Sequence, residues 1–212
     1  MKQLVLIFLS LFVFGTANAT LTKIGTAAYQ GADYNLIWDD NNNGNSVVWL
    51  DYSHSGRWAT QTSWAIGLDS SLSYNIDAGY NITWSNAAWR LPSVGVNPQN
   101  GLNQTTSEMG HLFYDELKLD ANVVITDTEL NKKSFDKLKA SLYWYDKDWV
   151  HDPFTQYFNM SYGYQGSTNG DFNFYGLAIR SGEVSVNPVP EPSTIFLFGI
   201  GLIAIVRFSR ER

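Results

Sequence analysis

The chain has 212 residues, 15% of them aromatic and 16% charged, with a formal net charge of −6 and no cysteine. The missing sulfur excludes a disulfide framework, cysteine-ligated zinc or iron–sulfur centres and any thiol nucleophile. The acidic balance argues against a nucleic-acid surface, because neutralising phosphates takes clustered Lys and Arg.

The first nineteen residues read as an address. Met1-Lys2 is followed by an apolar run over 4–14, interrupted only by Ser10, and by Ala17-Asn18-Ala19, a small-x-small cleavage site. A charged start, a short apolar core and small residues at the cut make a secretory signal peptide over 1–19. The core is about half the roughly 20 residues a membrane span needs. Without residues 1–19 and 190–212, the remaining chain holds 10 basic and 18 acidic residues and all eight Trp, from Trp38 to Trp149.

Residues 20–29, 34–38 and 47–50 read as strands, with the polar cluster 39–45 turning the chain between the last two. Trp58, Ala59, Trp64, Ala65 and Leu68 follow helical spacing over 58–68. Thr105-x-x-Glu108 has capping-box spacing, and Met109, Leu112, Phe113 and Leu117 then fall on one face of a second helix. Phe158, Met160, Tyr162 and Tyr164 alternate with polar residues or glycine, and 167–171 turns into a last strand through Ile179. The expectation is one α+β domain over 20–186, with a mainly antiparallel sheet and two helices, in which the first and last strands can pair.

The tail over 187–212 has three ordered parts: Val189-Pro190-Glu191-Pro192, an apolar helix at 194–206, and a basic end at 207–212 with Arg207, Arg210 and Arg212. This layout resembles the PEP-CTERM sorting signal. The resemblance implies a Gram-negative exported protein whose tail is recognised by an exosortase acting at or near Pro190, Glu191 and Pro192. It further implies transient residence in the inner membrane, release to the cell surface or extracellular space after processing, and association with exopolysaccharide and biofilm matrix. The alternative is a plain C-terminal anchor, for which the apolar run is short.

A second resemblance covers about 34–184. Leu36-Ile37-Trp38, Trp49-Leu50-Asp51, Trp89-Arg90-Leu91-Pro92, residues 107–113, Tyr143-Trp144 and Ala178-Ile179-Arg180 are similar in order and spacing to the Lcl C-terminal-like family. That family is related to C-type-lectin-like folds, and Trp89, Arg90, Leu91 and Pro92 form its most specific element. The same four-residue pattern occurs in sulfatase-modifying oxidases, whose chemistry needs the cysteines this chain lacks.

Several smaller constellations carry chemistry. Asp39-x-Asn41-x-Asn43-Gly44 has the first half of a calcium loop, with Asp51 just past its last position, although half a loop falls short of the 6–8 oxygens Ca²⁺ takes. Its competing reading is a polar hairpin turn. Glu108 and His111 are spaced to share a helix face, and Asp51 or Glu108 is the partner expected for Arg90. Trp144 and Trp149 stand among Asp146, Asp148 and Asp152, a mixture suited to sugar rings if it is exposed and to a core if it is not. No cofactor beyond Ca²⁺ is suggested. The sequence therefore points to an exported, non-catalytic binding module for polysaccharide or another surface component, with a carboxylate-pair hydrolase as the alternative.

Overall fold

The computed structural model describes residues 21–187 apart from 86, 133 and 149–153. Ala17 and Ala19, Trp149, and the tail with Pro190, Glu191 and Pro192 lie outside the described residues.

Three strands open the domain as a meander: β1 (Leu21–Tyr29), β2 (Ala32–Asn42) and β3 (Asn45–Gly56). Each hairpin turns on two residues of positive φ, Gln30-Gly31 (50° and 82°) and Asn43-Gly44 (51° and 83°). That geometry matches the twist of paired strands and favours Gly and Asn. The polar cluster over 39–45 is thus a strand end and a two-residue turn. Next come α1 (Trp58–Gly67), a 3₁₀ turn over Leu68–Ser70, and the short strands β4 (Ser73–Ile76), β5 (Tyr80–Trp84) and β6 (Gly101–Leu102). A single-turn α2 (Glu108–His111) runs into a π turn over Leu112–Glu116 and is followed by α3 (Asp127–Leu130). Strands β7 (Leu142–Asp148), β8 (Phe154–Asn159), β9 (Tyr164–Asn169) and β10 (Phe174–Val186) complete the domain.

The strands form one open sheet in the order β4-β1-β2-β3-β10-β7-β8-β9-β6, with β5 on the far half of β10. Only the β10–β7 contact is parallel. The result is a mostly-sheet mixed domain with few short helices. β10 docks on β3 and not on β1, because β2 and β4 already occupy both edges of β1.

Alternation along the central strands sends side chains to two cores. Ile37, Val47, Trp49, Leu177 and Ile179 face one, with Met109, Leu112, Phe113, Leu130 and Phe135 packed over them. Leu36, Val48, Leu50 and Ala178 face the other, closed by Ile24, Leu68 and Trp89. Trp49, Trp89 and Trp144 are fully buried. At ~25 cal/mol per Å² and about 150–250 Å² per ring, each contributes at most roughly 4–6 kcal/mol before entropy. Burial of this kind stabilises the domain without disulfides.

Two local expectations are corrected. The helix before His111 is capped by Ser107, whose Oγ accepts from Gly110 N at 3.0 Å, and not by Thr105. Glu108 cannot return to a cap because Arg90 holds it; the capping box of this domain is Thr126–Glu129 on α3. The alternating stretch 158–164 is likewise two strands. Asn159 O accepts from Tyr162 N and Gly163 N, and Gly163 at φ 71° reverses the chain into β9.

Candidate functional site

Trp89, Arg90, Leu91 and Pro92 act as a clasp. Trp89 is buried and donates its indole N–H to Tyr74 Oη at 2.8 Å, Arg90 exchanges both backbone hydrogen bonds with Ile179, and Pro92 O accepts from Asp146 N at 2.8 Å. The Arg90 guanidinium meets both oxygens of Glu108 at 2.6 and 2.7 Å, so Glu108 and not Asp51 is its partner. Glu108 Oε2 also accepts from Ser93 N. Burial alone would lower the pKa of Arg90, but the Glu108 carboxylate, with Asp146 behind it, carries it above its ordinary value.

On the second core's face, strand parity brings a row of half-buried rings together. Tyr29 and Tyr34 both pack edge-on against Tyr52, with centroids at 5.4 and 4.7 Å. Tyr52 lies 5.8 Å from Trp64 of α1, and His54 stacks on Trp64 at 5.6 Å. Beside the row opens a cavity of about 390 Å³, walled by Asp33, Tyr34, Tyr52, Ser53, Lys137 and Lys139. Asp51 builds one wall of it indirectly. Its carboxylate accepts from Asp136 N at 2.7 Å and Lys137 N at 3.0 Å, which fixes the loop that carries both lysines. Burial raises the pKa of Asp51, and those two backbone donors oppose the rise.

The residues expected to ligate calcium do not converge. Asp39 pairs in register with Val47, four residues from Asp51, and each carboxylate is committed elsewhere. Asn41 Oδ1 accepts from Gly44 N at 3.1 Å, and Asn43 Nδ2 reaches Thr106 O and Ser107 O. These are turn and docking bonds. Trp144 is likewise corrected: it is fully buried, donates to Gly56 O at 3.0 Å and stacks on Phe174 at 4.3 Å, so it belongs to the core.

A different cluster forms beneath the first core. Asp39, His111 and Glu116, all buried, place one ligating atom each within 4.8 Å of one another. His111 Nε2 lies 3.4 Å from Glu116 Oε1, and Nδ1 lies 3.3 Å from Asp115 Oδ2. Asp39 Oδ2 accepts from Asn42 Nδ2 at 2.8 Å and Trp49 Nε1 at 3.2 Å. Burial pushes the Asp39 pKa up to about 6, with Glu116 adding to the rise and the Asn42 and Trp49 bonds resisting it. Burial would lower the pKa of His111, but Glu116, Asp39 and Asp115 carry it above its ordinary value. His111 therefore joins Glu116 and Asp115, while Glu108, its expected companion, faces Arg90.

The sequence did not single out Tyr29, Tyr34 or Tyr52, although their shared parity across a hairpin was the available signal. Glu116 left none. Five residues on from His111, regular α-helical spacing would put it on another face, and the π turn alone brings it round.

Among the described residues no helix is long and apolar enough to cross a membrane. No curated protein and no solved structure matches the chain. Residues 188–211 match the PEP-CTERM protein-sorting motif. That motif indicates an exported protein, held at the membrane by its C-terminal tail until an exosortase processes it, and the sheet domain over 21–187 is the cargo so delivered.

Proposed function

We propose that the exported domain is a non-catalytic module that binds polysaccharide at the cell surface or in an exopolysaccharide matrix, through the ring row of Tyr29, Tyr34, Tyr52 and Trp64. The supporting observation is that row itself, open on one side and bordered by Asp33, Lys137 and Lys139. Sugar rings offer apolar C–H faces to aromatic rings and hydroxyls to charged neighbours. The resemblance of Trp89-Arg90-Leu91-Pro92 and its flanking segments to the Lcl C-terminal-like, lectin-related family adds to this reading.

The competing reading, a hydrolase, needs two carboxylates that a glycosidic bond can enter between. Among the described residues, Asp39 and Glu116 lie close together but are both buried, out of reach of a glycosidic bond, which supports binding over cleavage. Affinity electrophoresis through gels cast with bacterial exopolysaccharides tests the proposal. Retarded migration that Tyr34→Ala and Trp64→Ala each weaken is the expected result. Unretarded migration combined with release of reducing sugar would replace binding with hydrolysis.

A further inference from the structure

We propose that Asp39, His111 and Glu116 form a site for one divalent first-row transition ion of the zinc or manganese class, which ties β2 to the α2–π segment. The three ligands come from two stretches of chain about 70 residues apart, and their ligating atoms already lie within 4.8 Å of one another. Metal–ligand bonds of about 2.0–2.2 Å put tetrahedral neighbours about 3.4 Å apart. His111 Nε2 and Glu116 Oε1 stand at 3.4 Å, the separation of two ligands on one ion.

Orientation adds an independent indication. His111 Nε2 is buried and makes no hydrogen bond, while Nδ1 faces the Asp115 carboxylate at 3.3 Å. A carboxylate behind a histidine holds the proton on Nδ1 and leaves the Nε2 lone pair for a metal. Asn42 provides a second indication. It is 1% exposed, its Nδ2 rests 2.8 Å from Asp39 Oδ2, and its buried Oδ1 has no partner. Turning that amide over would bring Oδ1 beside Asp39 as a fourth ligand, in exchange for the 3.3 Å bond that Nδ2 donates to Glu108 O. Trp49 Nε1 then orients the Asp39 carboxylate from behind.

The backbone is shaped to the same end. In the π turn over 112–116, residues five apart come onto one face, so Glu116 reaches His111 alongside Asp115, four residues on. The donor set of one imidazole nitrogen and two or three oxygens suits zinc or manganese, offers no thiolate for Cu(I), and supplies too few oxygens for calcium.

The test uses full-length protein with an affinity tag free of histidine, stripped with EDTA and dialysed against Zn²⁺ or Mn²⁺. One equivalent of either ion per chain, measured by mass spectrometry of the metal and accompanied by a raised melting temperature, is expected. Asp115→Asn should weaken uptake about 10- to 100-fold, as for other residues that orient a metal ligand, and His111→Gln should abolish it. Because His111→Gln can fail to fold, a Co²⁺ spectrum of the unaltered protein is the second readout: visible bands of a four- or five-coordinate nitrogen–oxygen site are expected. Folded protein that takes up neither ion, or Asp115→Asn and His111→Gln variants that retain full uptake, would overturn the proposal. Loss of the metal site leaves the polysaccharide reading standing, since the ring row lies on the opposite face of the sheet.

Discussion

Arg90 and Glu108 close on each other through two parallel hydrogen bonds of 2.6 and 2.7 Å, joining the segment bridged to β10 to the first turn of α2. Both side chains are largely out of water, at 26% and 12% exposure. Arg90→Ala strands Glu108 in a site built for its charge, and should cost about 3 kcal/mol. Arg90→Lys recovers only part of that, because an ammonium cannot make the two-pronged contact. Urea unfolding of the single variants and of the Arg90→Ala/Glu108→Ala pair checks this, with the pair expected to lose less than the two singles combined.

Gly110 sits where a side chain has no room. A Cβ there would run into the backbone oxygen of Gln104 and lie 2.7 Å from the Ser107 Oγ that caps α2. Gly110→Ala should destabilise the domain by about 1–3 kcal/mol through overpacking. Thermal unfolding followed by tryptophan fluorescence reads the loss.

Asp127 accepts from Ala140 N at 2.7 Å and from the Lys139 ammonium at 3.1 Å. The first contact, helped by the second, holds its carboxyl below the ordinary 3.8. Its contribution to stability is therefore present above pH 3.8 and lost as pH falls through the lowered value of the folded state. The side chain is half exposed, so Asp127→Asn should cost about 1 kcal/mol or less at pH 7, equal to roughly 2–4 °C in melting temperature. The difference from the unaltered protein should vanish in melts at the acid end of that range.

Replacing Glu191 with Ala disrupts the centre of the Pro190-Glu191-Pro192 motif within the matched segment. In cells that contain an exosortase, the unprocessed chain should accumulate in the membrane fraction at the expense of the released form. Immunoblots of fractionated cells separate the two.

Much of the sheet was legible because its signals are local. Apolar runs bounded by turn residues marked β2 and β3, alternation marked the end of β8 and the start of β9, and Asn43-Gly44 marked the hairpin between β2 and β3. The spacing of Trp58, Trp64 and Leu68 marked α1 to within one residue of its end. What escaped was set at a distance. Asp51 and Glu108 were both open as partners of Arg90, and only the fold decides for Glu108; Trp144 stands among acidic residues, and only packing against Leu91 and Phe174 makes it core. Asp39 looked like a calcium ligand because its neighbours along the chain are polar. Its carboxylate also stands beside His111 and Glu116, more than 70 residues away, which no local pattern shows.

The last bonded strand ends at Val186, and Asn187 is fastened in turn to Gly79 O and Ala78 O at 2.8 and 2.7 Å. The sorting motif begins at the next residue, and the strand that leads to it, β10, lies inside the sheet, paired with β3, β5 and β7. A pull exerted on the tail, as when an anchored molecule is dragged by flow or by neighbouring cells, thus enters along β10, first through Gly182–Val186 on β5 and then through the stretch paired with β3. Its hydrogen bonds to β3 and β5 run across that direction, so many must shear together where an edge strand would peel away one bond at a time. The tether is attached to a strand whose bonds to two neighbours are loaded in shear.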